Sequence, residues 1–423
     1  MVYRGIEDAR RLDCDIVVVG AGPGGSTAAR YAALGGLDVI LIEKKAEIGS
    51  PLRCAEGVSK KWFDALGIKT DRKWISAEIM RMKIVSPSGF TMVSDESEKD
   101  GSGRGYVLER HLFDKALAAQ AADAGVRIMM RTACTGTITD GGRTVGIRAT
   151  EMGEPVEIYA KCIIAADGFE SQASRWAGLD TSLGAEDIDT CLQYRMTNVD
   201  IDPNTCEFRI GSDAPGGYIW LFPKGDGIAN VGIGIQAARC TPEAGPKYHL
   251  DRFVKGDPRL RDGQILEMVA GAVSSSKPEH SVTDNLIAVG DAARFINPLT
   301  GGGIHEACLS GMLAGKTVTE CASIGDFSKM SLSMYERMWE GEVGRRFSRN
   351  MRIKEKFVGM SDEALDEMIV TFEDVGMRKM KVDTMIRIIS EKNPSILRML
   401  GIEAPEAVPL NILPGRNVPN AKK

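Results

Sequence analysis

The chain has 423 residues, 43% hydrophobic and 26% charged, enough to bury a large core shared between two or more closely connected domains. A net charge of −5 argues against general nucleic-acid binding. No apolar run reaches the ~18 residues of a membrane helix; the 9 cysteines form no C-x-x-C pair and none of the 4 histidines is spaced as H-E-x-x-H, which points away from a protein-bound metal and toward a reducing cytosol.

In chain order, the opening MVYRGIEDARRLD lacks the apolar core of a secretory signal. Residues 15–19 read as a strand, β-branched from Ile16 on, of the kind buried on both faces of a parallel sheet. Gly20, Gly22 and Gly25 then fill the three glycine places of a G-x-G-x-x-G turn, with Gly24 inside it. Residues 26–34 read as a helix, and a second strand at 38–42 delivers Glu43. Such a turn lets backbone approach a pyrophosphate and aims the amides and dipole of the helix at it. A carboxylate roughly 20 residues on accepts hydrogen bonds from ribose hydroxyls. Strand, turn, helix, strand and acid in register specify a dinucleotide site.

The loop GSPLRCAEG (49–57) carries two readings of equal weight. It is either a connector with Cys54 as a half-buried thiol, or a flap over a cofactor with Arg53 near phosphate and Cys54 near the reactive ring. Residues 82–93 and 104–107 are expected as paired strands around a turn at 87–89, followed by an acidic surface loop at 94–103. A helix is expected over 109–124, with Leu112, Phe113, Ala116 and Leu117 on one face and Arg110 at its start, within reach of phosphate or adenine. Residues 126–132 resume the parallel sheet and 145–158 supply a hairpin. The strand of 162–165 ends at Asp167 and Gly168. Asp167 is read either as a cofactor ligand or as the cap of the short helix that bears Ser171 and Arg175.

Residues 190–199, 206–210, 217–222 and 229–236 alternate apolar and polar and predict an antiparallel sheet interrupting the first domain. Tyr218, Trp220 and Phe222 share one strand face, either packed on core or forming an apolar binding wall. The chain then returns with a buried strand at 285–289, Gly290-Asp291-Ala292-Ala293, and the glycine run 301–303 entering a helix at Ile304. This second set of free helix amides suits a long dinucleotide with two anion-seeking parts. From Met334 onward the sequence reads as helical, with breaks near Gly359, Gly376 and Pro394. Methionines at 351, 360, 368, 377, 380, 385 and 399 read as core filler or as a pliable wall around a flexible ligand.

GAGPGG with Glu43, AADG (165–168) and GDAA (290–293) together resemble the FAD-dependent para-hydroxybenzoate hydroxylase fold group. PLRCAEG (51–57), GYVLER (105–110), GGYIWLFPKG (216–225), NVGIGI (230–235) and GDAARFINPLTGGGI (290–304) resemble one branch more closely: the archaeal geranylgeranyl reductases of digeranylgeranylglycerophospholipids.

The resemblance implies an α/β fold: a Rossmann-like FAD domain (1–180 and 280–330), an antiparallel-sheet substrate domain (181–279, with part of 59–107) and a helical C-terminal region (331–423). It implies FAD held at the pyrophosphate by Gly24 and at the ribose by Glu43. Cys54, Ala55 and Gly57 line the isoalloxazine side, and Arg110 and Ala133 lie around the adenine and phosphates. Asp291 meets the ribityl–phosphate region, and Gly303 and Ile304 face the pyrimidine edge. It also implies hydride transfer to an isoprenoid phospholipid packed on Tyr218, Trp220 and Phe222, with Cys54 at the reaction centre in a role left unassigned. His305 stands where a small or amide residue is expected. An external donor (ferredoxin, a deazaflavin or NAD(P)H) and peripheral contact with the cytoplasmic membrane face complete the expectation. An aromatic monooxygenase, a flavin-dependent halogenase and a prenyl-lipid escort protein are the rivals.

Overall fold

The computed structural model describes residues 9–95, 105–277, 279–375 and 394–399. The acidic link beyond residue 95, Gly376 and the methionines at 377, 380 and 385 lie outside them.

The apolar run at 16–19 closes β1 (Arg10–Val19), which pairs in parallel with β2 (Val39–Glu43) and β11 (Glu154–Ala165). Ile16, Val17 and Val18 are fully buried, as both faces of this sheet are covered. β1 begins earlier than its apolar run because Arg10 to Cys14 pair with Val156 to Ala160. β8 (Arg127–Met130) adds to β2 and β18 (Leu286–Ala288) to β11, both in parallel. β17 (Val282–Thr283), β9 (Thr132–Asp140) and β10 (Arg143–Glu151) complete the sheet as antiparallel additions. Helices α1 (Pro23–Leu34), α3 (Arg110–Asp123) and α6 (Ile304–Ile324) pack against it.

The second sheet runs β16 (Gln264–Ser274), β12 (Ile188–Thr197), β15 (Ile228–Gln236), β14 (Tyr218–Gly225), β13 (Thr205–Ile210), β5 (Arg81–Val85), β6 (Thr91–Asp95). It is antiparallel except where β13 pairs in parallel with β5. The expected strand pair is therefore corrected. The turn near 87–89 joins β5 to β6 as a hairpin, whereas β7 (Gly105–Leu108) joins β3 (Gly57–Ser59) and β4 (Ile75–Ile79) in a separate three-stranded sheet. Helix α5 (Pro246–Gly256) covers the outer face of β12 and β15, and neither it nor β16 was anticipated. The short helices α2 (Lys61–Ala65) and α4 (Gln172–Trp176) follow loop 49–57 and Asp167 respectively.

The C-terminal part is helical: α7 (Lys329–Trp339), α8 (Arg345–Val358), α9 (Asp362–Val375) and α10 (Pro394–Met399). Met368 is buried among Leu365, Ile369, Ile396 and Met92 of β6, and Met360 packs on the same cluster. These methionines fill core.

On the second sheet, Glu207 receives both terminal nitrogens of Arg259 (3.0 and 2.9 Å), Arg209 Nε (2.9 Å) and Lys83 Nζ (3.2 Å). Burial pushes its carboxyl up, but these donors win and hold it down at about 2. Its ordinary value is 4.5, so the contribution to stability is present above pH 4.5 and fades as pH falls toward about 2. Glu207→Gln is expected to flatten the acid limb of a urea-unfolding series by about 1–2 kcal/mol after solvent screening; an unchanged limb would contradict this.

Candidate active site

One cavity of about 960 Å³ runs between the two larger sheets. Gly22, Gly24, Asp291, Gly303 and Ile304 wall it on the side of the first sheet and Tyr218, Trp220 and Phe222 on that of the second, and Arg53, Cys54, Ala55, Gly57 and Arg110 also line it; the Tyr218 hydroxyl donates to the Thr300 carbonyl, next to the glycine run that opens α6. Gly20, Gly25, Glu43, Ala133 and Asp167 are not in its wall. Gly20 and Gly25 shape the turn from behind: a Cβ on Gly25 would lie 1.9 Å from the Gly20 carbonyl oxygen, and one on Gly20 2.4 Å from that of Ala166. Glu43 accepts from the amides of Ala21 (3.1 Å) and Lys45 (2.9 Å). Ala133 sits on β9 opposite Thr150. Asp167 Oδ2 accepts from the Ala173 amide at 2.9 Å, which caps α4, while its Oδ1 is buried without a partner.

The nucleotide side fits a long dinucleotide. The N-cap residues Gly22 of α1 and Gly303 of α6 carry no side chain to cap their helices, so two sets of first-turn amides face one cavity. A Cβ on Gly22 would meet nothing within 4 Å, which leaves backbone open to a ligand. Asp291 keeps its exposed surface toward the cavity; burial raises its carboxyl against the pull of Arg110 and Arg294.

Loop 53–57 is fixed by a buried polar network. Glu56, fully buried with φ 73°, accepts on Oε2 from Lys224 Nζ (2.7 Å), Arg195 Nη2 (2.8 Å) and Asn230 Nδ2 (2.8 Å). Its Oε1 accepts from the Arg110 amide (3.0 Å). Lys224 also pairs with Glu109 at 2.8 Å. The Cys54 carbonyl accepts from Gln193 Nε2 (3.2 Å), whose Oε1 accepts from Trp220 Nε1 (2.9 Å). Asn230 Nδ2 also reaches the Ala55 carbonyl at 3.2 Å. Glu56, Gln193, Arg195, Lys224 and Asn230 escaped the sequence analysis. Their signal was present: a polar residue at an inward position of an apolar strand needs a partner.

Burial pushes the Cys54 thiol up, while the Arg110 charge and the Glu56 amide pull it down. The Arg110 guanidinium is gripped by Asp114 (2.8 and 2.9 Å) beside that thiol. Arg53 lies at the rim, paired with Glu170 at 3.1 Å. Tyr218 packs edge-to-face on Trp220 at 5.9 Å, Phe208 packs in the same way on Tyr218 and Phe222 at 5.5 and 5.3 Å, and all four line the cavity. The strand face is thus both packed core and cavity wall. Beyond it, Asp189 and Lys354 pair at 2.8 Å. His305 stacks on Trp62 at 4.0 Å with Nδ1 buried and not hydrogen-bonded, 3.4 Å from Glu306.

Residues 187–273 match the family model of the geranylgeranyl reductase catalytic domain, and residues 15–215 match that of FAD dependent oxidoreductases. A digeranylgeranylglycerophospholipid reductase of Methanothrix thermoacetophila is 44% identical over 388 residues, covering 91% of this chain and 98% of that protein. The chain belongs to the digeranylgeranylglycerophospholipid reductase family. A crystal structure of a geranylgeranyl bacteriochlorophyll reductase-like protein from Thermoplasma acidophilum superposes with TM-score 0.88 at 43% identity, covering 92% of this chain and 99% of that one. The flavin-dependent brominase Bmp2 shares the fold, with TM-score 0.71 at 18% identity over 92% of this chain and 93% of its own. Membership makes this a mixed α/β FAD oxidoreductase, and the match to the catalytic-domain model spans the strands that supply Gln193, Arg195, Lys224 and Asn230.

Two outcomes test the site. Lys224→Met leaves the buried Glu56 carboxylate short of a counter-charge, which is expected to cost about 3 kcal/mol and to loosen FAD retention. Denaturant unfolding and flavin content after gel filtration check this, and a variant as stable as wild type would show that the pair does not hold the loop. Cys54, raised by burial, is expected to remain a neutral thiol at neutral pH and to alkylate slowly, more slowly still with FAD bound. Peptide mass spectrometry after iodoacetamide treatment reads both rates; equal labelling with and without FAD would remove Cys54 from the cofactor cavity.

Proposed function

We propose that this chain saturates the geranylgeranyl double bonds of a digeranylgeranylglycerophospholipid. The observation that carries the reading is one cavity lined at once by a double set of free helix amides, an aromatic wall and Cys54. Bound FAD, once reduced, supplies a hydride. The chain's residues bind, orient and exclude water. The amides of Gly22 and Gly24 take the pyrophosphate, Pro23 between them having no N–H to give, and Glu43, already fixed by two amides, presents its remaining lone pairs to the ribose. Asp291 takes the ribityl–phosphate region. The amides of Gly303 and Ile304 at the start of α6 favour negative charge at the pyrimidine edge. Cys54, Ala55 and Gly57 border the flavin, Arg53 and Arg110 supply positive charge along the loop, and Ala133 and Asp167 support the adenosine end from behind.

Tyr218, Trp220 and Phe222 hold the isoprenoid chain. An isolated alkene is a poor hydride acceptor, so fixed positioning and a dry wall carry much of the task. Among the described residues no helix is long and apolar enough to cross a membrane; on this reading the lipid is met by peripheral contact at the cytoplasmic face, where a lipid with two long isoprenoid chains is held in the bilayer. Electrons come from an external donor, with ferredoxin, a reduced deazaflavin and NAD(P)H told apart by which one bleaches the flavin.

Dithionite-reduced protein incubated with the lipid is expected to add one pair of hydrogens per saturated bond, counted by mass spectrometry. Cys54→Ala is expected to lose at least roughly tenfold in rate, about 1.4 kcal/mol of barrier, while keeping its flavin. No mass gain on any isoprenoid lipid would overturn the activity; normal reduction by Cys54→Ala would overturn only the role of Cys54.

A further inference from the structure

We infer that the bulged edge of the second sheet docks this protein on an anionic bilayer, an inference that rests on the lipid substrate proposed above. On β16, Met268 stands opposite Tyr194 and Glu267 opposite Arg195, but the next pair is Ile265 with Met196. Leu266 is the extra residue of a bulge. Pleat alternation alone sends Ile265 and Met268 to opposite faces; the bulge returns Ile265 to the face of Met268.

That face is the one covered further in by α5, where Tyr194 and Met196 are buried with Leu250. At the edge the cover ends, and Ile265, Leu266 and Met268 remain 53%, 58% and 62% exposed. Glu267, the one charged residue of the strand, turns to the opposite face toward Arg195, 3.8 Å from its Nε. Edge strands are ordinarily guarded by lysine, proline or outward charge, because an apolar edge invites association. This edge has its bulge and Glu267, but the charge lies on the opposite face and no lysine or proline stands on the strand, so the α5-side face is left apolar.

The neighbouring helix identifies the occupant. Asp251 of α5 accepts the Tyr194 hydroxyl at 2.6 Å, which ties this side of the helix to β12, the strand next to β16. Tyr248, half exposed, and Lys255 lie three and four residues from Asp251 on the same side. Lys247 pairs with Asp251 and Arg252 with Asp213, so the three cations of α5 face two acids, and Lys255, beside Tyr248, leaves this side with a net positive charge in a chain of net charge −5. Aliphatic side chains, an interfacial tyrosine and a lysine beside it suit an anionic lipid surface. The opposite face of the same strand supplies Val269, Gly271 and Val273 to the cavity. Docking this edge sets a wall of the reaction chamber at the membrane, where a lipid with two long isoprenoid chains resides.

The test is flotation of the FAD-loaded full chain with phosphatidylglycerol vesicles. Wild type is expected to float, and the triple variant I265S/L266S/M268S to lose roughly tenfold or more of its partitioning, since three buried aliphatic side chains are replaced. Its flavin absorbance, thermal midpoint and reduction of detergent-dispersed lipid should not change. Leu266→Trp should float more strongly, because tryptophan favours the interface. Equal flotation of wild type and triple variant, or no flotation of wild type, overturns the docking surface. A dimer in sedimentation that the triple variant splits overturns it too, by giving the edge to a second copy. Failure of wild type to reduce detergent-dispersed lipid counts against the proposed activity, and flotation still decides the surface.

Discussion

The Glu56 carboxylate has no exposure to water, and its four hydrogen bonds come from three strands of the second sheet and the first residue of α3. A buried charge is tolerated only where partners surround it. Loop 53–57 therefore has one position that satisfies the whole set, and the left-handed backbone at Glu56 is held by the same partners. The loop brings Cys54 and Ala55 with it, their carbonyls tied to Gln193 and Asn230. Two sheets that fold around separate cores thus face each other across a fixed gap. The cavity is that gap.

Its two sides differ in chemistry because they belong to different sheets. The first sheet offers helix N-termini and backbone amides, which favour phosphates. The second offers rings fitted to glycine-bearing strands: a Cβ on Gly232 would lie 2.3 Å from the Trp220 ring. The sequence NVGIGI is thus the complement of YIWLF across the β14–β15 pairing. Trp220 spends its one donor on Gln193, so the wall it presents to the cavity is apolar.

The dinucleotide grip was legible because it is local. Strand, glycine turn, helix and acid lie within about 30 residues, the span of a βαβ unit. The second anchor at Asp291 and Gly303 was legible for the same reason, as a strand, a turn and a helix start. What the sequence concealed is non-local. Glu56 meets Arg195, Lys224 and Asn230 across 139, 168 and 174 residues, and no window of sequence contains both partners. β7 was attached to the wrong hairpin because its apolar pattern does not state its neighbour. β16 was missed because its bulge breaks the period of two that marks a strand. Asp167 was open to two readings, and its hydrogen bond to Ala173 gives it the capping task, whatever its unpaired oxygen does besides.

The reaction places contrary demands on one loop. Alkene reduction requires a dry, immobile contact, whereas a loop of small residues at a domain junction is ordinarily mobile. Burying a charge resolves the conflict: the Glu56 network gives the loop the rigidity of a sheet without filling the cavity with side chains. The cost of that solution is a charged cluster close to an apolar chamber. It stays out of the chemistry because each member is paired, Lys224 with Glu56 and Glu109, and Arg110 with Asp114. Cys54 is the exception in kind. Burial keeps it a neutral thiol beside a guanidinium already committed to Asp114, so it adds neither charge nor bulk to the cavity it lines.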